Sequence, residues 1–417
     1  MKFDTLSPEN LSAVFFATGI LLLCAFVFGK IFVWLKSPKV IGEIFGGFIL
    51  GSSGLYLLFP DFISSTFNAF AEQGKVLNVF YQLGLIFLMF VAGFNTQISF
   101  AKDNIKIISA LFIGATFIPA FAGYFFIDYF KESFIGENGN DLSFSLVFLI
   151  AIAVTSIPVI SKIFFDIGII KSRFASIVLT TSTIQDLFLW ILLNVAINAS
   201  SNKDISILDN LTTAFITVAL FVFIKIIANF LRNIRMSMNG TDFLTISFVL
   251  LFLSIAFFNT LHINPMYTSF LIGFLIKNVL YKHKDLQEKM NAISDFSFSY
   301  FIPVYFALIG IQLNIIHEFS FYMFVLFLFL ACFLEFFGSY IALLFLKLSN
   351  TTRINFAVTM NARGGPGIVL ASVAFYYKIV NVSFFTTLIL VTLISSMLAG
   401  YWLRYQKNKN EEIFTKF

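Results

Sequence analysis

Charge is scarce in this chain. Lys, Arg, Asp and Glu make up 12% of its 417 residues, against 59% hydrophobic ones, and mean hydropathy is +0.91. So few charges cannot cover the surface of a soluble chain of this length, so the composition is that of a polytopic membrane protein. Cysteine is nearly absent. Cys24 and Cys332 both fall inside apolar runs, which argues against a disulfide framework or a zinc site. The three histidines avoid the middle of every apolar run, and no His-Glu-x-x-His occurs, which leaves an intramembrane metalloenzyme without its ligands. No long soluble stretch exists either. The 16 residues after Tyr401 make an expected tail too short for a nucleotide-binding or regulatory domain. No cofactor and no nucleic-acid partner is expected.

What the chain does have is long apolar runs. Cutting at polar clusters gives about thirteen spans: 11–35, 38–58, 76–96, 105–127, 143–165, 172–199, 208–231, 243–260, 264–281, 296–314, 319–347, 355–377 and 382–404. The first exceeds a signal-peptide core, and Asp4 and Glu9 stand where a basic segment would be, so it reads as a retained helix. Lys and Arg test the division. Alternate loops hold 21 of the 27, the opposite set holds 5, and Arg363 lies within a span. That asymmetry places the N-terminus outside and the C-terminus in the cytoplasm, in a plasma (inner) membrane. It also explains the net charge of +5 without nucleic acid. His262 and His317 fall in predicted outer loops, and Lys282-His283-Lys284 forms a cytosolic loop near anionic lipid.

Asp186 is the most informative residue. It lies mid-way along Ser172–Ala199, a run with no other charge after Arg173. A helix of that length spans the roughly 30 Å hydrocarbon core, so the carboxyl sits near mid-depth. An ionised acid there costs at least about 2.5–3.5 kcal/mol. Protonation or a bound cation in a wet cavity removes that cost, which makes the group a proton/cation switch. The structural alternative is a carboxyl held by Ser182 or Thr183, one turn back on the same helix. Gln185, about 100° round the helix, either lines the same cavity or packs.

Two spans carry breakers at mid-depth. The fifth reads Thr155-Ser156-Ile157-Pro158-Val159 and the twelfth Asn361-Ala362-Arg363-Gly364-Gly365-Pro366-Gly367. Proline removes a backbone donor, and a Gly-Gly-Pro-Gly run does not continue a helix. Pro158 alone is also compatible with a simple kink. Spans five and twelve run in opposite directions, which is what inverted repeats produce, and crossed half-helices at the midplane are where such transporters bind ions. Thr155 and Ser156 then line the site, unless they merely bond their own helix carbonyls. Glu335 and Arg363 are membrane-embedded charges with few other partners. They either pair, tying helix 11 to helix 12, or Glu335 is a second proton carrier. Glu43 precedes a Gly-Gly pair and is read as a cap or a bridge between helices.

Several stretches together resemble the cation/proton antiporter-2 family. They are Pro38-Lys-Val-Ile-Gly-Glu43-Ile-Phe-Gly-Gly-Phe-Ile-Leu-Gly51, Leu83-Gly-Leu-Ile-Phe-Leu-Met-Phe-Val-Ala-Gly93, Thr155-Ser-Ile-Pro-Val159, Gln185-Asp186 and Ala362-Arg363-Gly364, in family order. The resemblance implies an all-α membrane protein of about 13 helices with inverted repeats, its broken helices 5 and 12 crossing. It implies a homodimer with dimerisation-side helices 1–3 (11–96) and 8–10 (243–314), core helices 4–6 (105–199) and 11–13 (319–404), a linker helix (208–231) and a short cytosolic tail (405–417). The core domain moves against the dimerisation domain. The cation carboxylate is Asp186, assisted by Thr155 and Ser156. Two departures matter. Electrogenic relatives carry two adjacent acids in helix 6, where this chain has Gln185-Asp186, and a Lys in helix 11, where it has Glu335 in Phe-Leu-Glu335-Phe-Phe-Gly338. The Gln-Asp pair is similar to the potassium-efflux branch.

The expected function is exchange of a monovalent cation, Na+ or K+, for H+ by alternating access. One carboxyl and a neutral neighbour make 1:1 electroneutral exchange the simplest stoichiometry. A channel or uniporter is the rival reading. It needs a filter of repeated carbonyl loops or a charged ring, and the sequence shows neither.

Overall fold

The computed structural model describes residues 5–35, 37–95, 104–170, 172–201, 239–261, 263–280, 284–316, 318–409 and 414, with parts of 215–230. The seventh expected span, 208–231, therefore falls largely outside the described residues, as do His262, His283 and His317. Long apolar runs dominate what is described. Among the described residues, nine helices are long and apolar enough to cross a bilayer by length and composition. In hydrocarbon a helix satisfies every backbone N–H and C=O within itself, and that requirement sets the architecture.

Two compact units emerge, each discontinuous in sequence: Met1–Asn95 with Phe221–His317, and Thr96–Leu220 with Glu318–Phe417. The first unit holds α1 (Pro8–Trp34), α2 (Lys39–Leu50), α3 (Pro60–Phe67), α4 (Gln73–Asn95), α10 (Gly240–Asn259), α11 (Pro265–Val279), α12 (Lys284–Ser299) and α13 (Phe301–Gln312). Helix α1 starts where its signals say it should. The Ser7 side chain accepts from the Asn10 N–H, Pro8 follows it, and Glu9 lies in the first turn. Glycines let helices in this unit touch backbone to backbone. A Cβ at Gly47 would stand 1.8 Å from the Ala307 carbonyl oxygen, and one at Gly310 2.0 Å from that of Ile44.

The second unit holds α5 (Ile105–Tyr124), α6 (Ile127–Phe134), α7 (Asp141–Ala153), α8 (Ile157–Asp166), α9 (Arg173–Ser201), α14 (Phe321–Leu344), α15 (Asn350–Met360), α16 (Gly364–Tyr376) and α17 (Val382–Lys409). Both expected breaks are present: α7 and α8 are the halves of the fifth span, α15 and α16 those of the twelfth. Helices α5 and α14 meet at a reciprocal glycine contact. A Cβ on Gly114 would lie 2.7 Å from the Gly338 oxygen, and one on Gly338 2.4 Å from the Gly114 oxygen. At the end of the unit where α7 begins, backbone bonds clasp the loop before α7 to the loop between α16 and α17. The Gly136 N–H donates to Ile379 O, Asn138 to Lys378 O and Asn381 to Phe134 O. Lys378 Nζ stands 2.5 Å from Glu137 Oε2 and holds that carboxyl below its ordinary pKa.

The structure corrects several expected boundaries. The tenth span was expected to begin at 296, but helix starts at Lys284. The run 284–299 has no Gly or Pro to stop it, and Asp285, Glu288, Lys289 and Asp295 are exposed while Leu286, Met290 and Ser297 are buried. The interruption falls at Tyr300 instead, because Pro303 removes a donor and its ring clashes with the carbonyl four residues back. Helix also forms at Pro60–Phe67 and Ile127–Phe134, in stretches expected to be loop. The ninth span is only 15 residues, Pro265–Val279.

The tail is the largest correction. Helix α17 continues to Lys409, with Lys407 and Lys409 in its last turn where they complement the helix dipole. Beyond it Phe414 is fully buried. Its ring sits edge-on to Phe174 at the start of α9, centroids 5.1 Å apart, in an apolar cluster with Phe164, Phe356 and Leu403. The ring strengthens the packing among α8, α9, α15 and α17. Burying such a ring stabilises by about 1.5–3 kcal/mol. Phe414→Ala is therefore expected to lower the thermal midpoint of the lipid-reconstituted protein, with Phe414→Leu recovering most of the loss. Wild-type stability in the Ala variant would show that this ring contributes nothing.

Candidate functional site

Breaking two helices at mid-depth frees backbone groups at four half-helix ends, each costing several kcal/mol if left bare in hydrocarbon. Side chains satisfy most of these groups. At the C-terminal end of α7, Arg363 Nε donates to Ala151 O at 3.3 Å and Nη2 to Ile152 O at 3.1 Å. Gln185 Nε2 covers the next carbonyl, Ala153 O, and also donates to Ala115 O on α5 at 3.0 Å. At the end of α15, Asn361 Nδ2 donates to Ala357 O, and the Asn361 and Ala362 N–H groups donate to Val358 O and Thr359 O. Thr155 Oγ1 lies 2.8 Å from Met360 O, and the Ser156 N–H donates to Ala362 O at 2.7 Å. At the start of α16, the Gly364 N–H donates to Ser396 Oγ at 3.0 Å and that of Gly365 to Ser156 Oγ at 3.1 Å. Pro366 has no N–H to satisfy.

Thr155 and Ser156 are thus engaged as caps of the crossing. Ser156 Oγ accepts from Val159 N as well as from Gly365 N. Gln185 is likewise a cap: it is fully buried, its amide nitrogen is committed to two carbonyls, and it is absent from the cavity that Asp186 lines. These three residues gather at the crossing, but by gripping backbone. Gly364 explains why the break takes this sequence. Its φ is +35°, and a Cβ there would stand 2.4 Å from Ser156 Oγ.

The expected charge pair is present in the same place. Arg363 Nη2 and Glu335 Oε2 are 2.7 Å apart, and both side chains are almost fully buried, at 1% and 0% exposure. Arg363 also reaches Asn361 Oδ1 and the Cys332 sulfur, while Thr155 Oγ1 lies 3.0 Å from Glu335 Oε1. The pair is electrically neutral and hydrogen-bonded on both partners, the arrangement in which a buried pair is tolerated. Glu43 is elsewhere. It belongs to the other unit, is buried, and pairs with Lys39 one turn earlier on α2 at 2.8 Å.

Asp186 differs from these in lining a cavity, although Gln185 Oε1, like it, has no hydrogen-bond partner among the described residues. It is 5% exposed and its Oδ1 has no hydrogen-bond partner among the described residues. The structural alternative for it is not realised. Thr183 Oγ1 donates to Leu179 O, and Ser182 Oγ is itself without a partner. The carboxyl instead faces a small cavity of about 10 Å³, room for about one water, whose other lining is Ile150 of α7, Val154 just past its end, Leu189, Trp190 and Leu193 of α9, and Pro366 and Leu370 of α16. Spacing of three to four residues on each helix turns one face to this space. Sequence reasoning passed over Ser396 and Trp190. Ser396 is one hydroxyl among several on α17, and an apolar Trp beside a carboxyl reads as packing.

The comparisons with known proteins bear on this arrangement. The family described as "Sodium/hydrogen exchanger, transmembrane" matches residues 19–405. The K(+)/H(+) antiporter 1 of Saccharomyces cerevisiae is 28% identical over 75% of this chain, which spans only 36% of that protein's length. The Na(+)/H(+) antiporter of Enterococcus hirae is 21% identical over 89% of this chain and 92% of its own. Among solved structures, the sodium proton antiporter MjNhaP1 from Methanocaldococcus jannaschii aligns over 96% of this chain and 99% of its own, with a TM-score of 0.65 at 18% identity, a likeness of fold. With the match covering nearly the whole chain, from the first helix to the last, this protein belongs to the sodium/hydrogen exchanger family of transmembrane proteins.

Proposed function

We propose that the chain is a secondary antiporter that exchanges a monovalent cation, Na+ or K+, for H+ by alternating access, and that Asp186 is its exchange site. One observation carries the reading. Among the described buried acids, Glu43 and Glu335 each have a basic partner, whereas Asp186 has none and faces a cavity. An ionised carboxylate in that setting is strongly disfavoured until a proton or a cation joins it. The two compete for the same oxygens, and that competition is the coupling.

The crossing bears on how the cation is held. In the general scheme for such transporters, unwound carbonyls and half-helix C-termini coordinate the ion. Here Arg363, Gln185, Thr155 and Asn361 already engage those carbonyls. The cation is then held by Asp186 together with water in a state of the cycle where this small cavity opens wider, while Thr155, Ser156 and Gln185 hold the crossing in shape. Relatives named as Na(+)/H(+) and K(+)/H(+) antiporters support the substrate class. In this reading the unit bearing Asp186 moves and the other unit forms a homodimer, with the N-terminus outside and the C-terminus in the cytoplasm of the plasma membrane.

Proteoliposomes with an internal pH dye test it: adding Na+ or K+ outside should drive proton release. Cation flux without proton movement would identify a channel or uniporter. Stoichiometry has its own expected result. With one ionisable site and a neutral Arg363–Glu335 pair, a 1:1 cycle moves no net charge. The cation gradient that just balances a fixed pH gradient should therefore be independent of membrane potential. One net charge per cycle gains about 2.3 kcal/mol per 100 mV, which would move that balance point roughly fifty-fold. A shift of that size would end the electroneutral assignment.

A further inference from the structure

We infer that Ser396 is a positioning residue for the cation site, fixing through the start of α16 the wall that faces Asp186. The inference rests on the antiport reading above. The first turn of α16 is Gly364-Gly365-Pro366-Gly367, a run with little side chain to pack. A Cβ at Gly365 would meet nothing within 4 Å, so packing does not hold the chain at that point. Pro366 lacks an N–H, and the Gly367 N–H bonds within its own segment, to Arg363 O. Two hydrogen bonds to the rest of the unit remain. One is Gly365 N to Ser156 Oγ at 3.1 Å, and the other is Gly364 N to Ser396 Oγ at 3.0 Å.

The two hydroxyls come from different halves of the unit, Ser156 from the broken fifth span and Ser396 from α17. Ser396 is itself held: its hydroxyl donates to Thr392 O at 2.7 Å, and it is 2% exposed. Thr392 Oγ1 sits close behind, 2.6 Å from where a Cβ on Gly367 would lie, so α17 backs this turn directly. The residues whose place this grip sets are Pro366 and, one turn on, Leu370, and both line the cavity with Asp186. Removing the Ser396 oxygen leaves the Gly364 N–H without its acceptor and frees the turn to shift. The cavity wall then moves relative to the carboxyl. Cation binding is expected to weaken before the exchange chemistry does, because Asp186 itself is untouched.

The test is Ser396→Ala and Ser396→Thr in full-length protein, reconstituted in vesicles with wild type and Asp186→Asn alongside. Proton release is measured against Na+ and K+ concentration. Ser396→Ala should raise the half-saturating cation concentration about tenfold, the scale of one lost hydrogen bond, with the maximal rate within about twofold of wild type. Ser396→Thr keeps the acceptor and should restore half-saturation. An unchanged half-saturation in the Ala variant, or failure of Thr to restore it, overturns the inference. If the Ala variant does not fold, Ser396→Cys replaces it, since a thiol is a weak acceptor. Half-saturation in the Cys variant should then exceed that of Thr, and equal values overturn the inference. No cation-driven proton release from wild type would instead refute the antiport reading itself.

Discussion

Replacing Asp186 with Asn should abolish cation-driven proton release and leave the folded protein intact. Exchange needs an oxygen that forms and breaks an O–H bond in every cycle and binds a cation in between. An amide of nearly the same shape does neither. The structure says why stability should survive. Asp186 Oδ1 has no protein partner among the described residues to lose, and an ionised acid within a membrane span is unfavourable by at least about 2.5–3.5 kcal/mol. The neutral Asn is thus no worse for the fold and slightly better when no cation is present. Loss of activity through loss of site and loss through unfolding can therefore be told apart. Wild type should gain thermal stability with added Na+ or K+, by about 2.7 kcal/mol at a hundred times the dissociation constant, and the Asn variant should gain none. Coupled flux in Asp186→Asn, or an undiminished cation-induced shift, would remove the central claim.

How much of this was legible in the sequence depends on the kind of interaction. Hydropathy located the long helices because hydrocarbon requires unbroken apolar runs. The breaks at Val154–Ser156 and Asn361–Arg363 were legible for the complementary reason, since Pro158 and Gly364–Gly367, in the first turns that follow them, do not extend a preceding helix. Asp186 stood out as an unpaired charge in one such run. The tasks of the polar residues were not legible. Gln185 beside Asp186 in sequence suggested a shared cavity, yet its amide turns to Ala115 O and Ala153 O, 70 and 32 residues away. Which carbonyl a side chain finds is a property of tertiary packing. The same holds for Ser396, whose partner Gly364 is 32 residues distant, and for Phe414, which is buried in a cluster with residues of α8, α9 and α15. The run 284–299 reads as loop in the sequence because the exposed charges at Asp285, Glu288, Lys289 and Asp295 outweigh in hydropathy its buried Leu286 and Met290.

Glu335 and Arg363 should prove strongly coupled in stability, and unequally so. Glu335→Gln strands a guanidinium that is 1% exposed, a loss of about 3–5 kcal/mol when one partner of a buried pair is removed. Arg363 would still donate to Ala151 O, Ile152 O and Asn361, so part of its environment persists. Arg363→Gln should cost more. It strands Glu335 with the Thr155 hydroxyl as its remaining contact and also uncaps two carbonyls at the end of α7. The double variant Glu335→Gln with Arg363→Gln removes both charges together, and its loss should fall short of the sum of the singles by more than about 1 kcal/mol. Thermal unfolding of the reconstituted proteins measures this cycle. Transport of the folded fraction then separates the two roles open to Glu335. A structural tie predicts that Glu335→Gln still exchanges cation for proton, with a balance point that ignores voltage as in wild type. Additive stability losses, together with transport lost in both Glu335 variants, would make Glu335 a proton carrier. The cycle would then use two carboxyls, its charge balance would no longer be fixed by Asp186 alone, and the neutral crossing would be one state of a titrating pair.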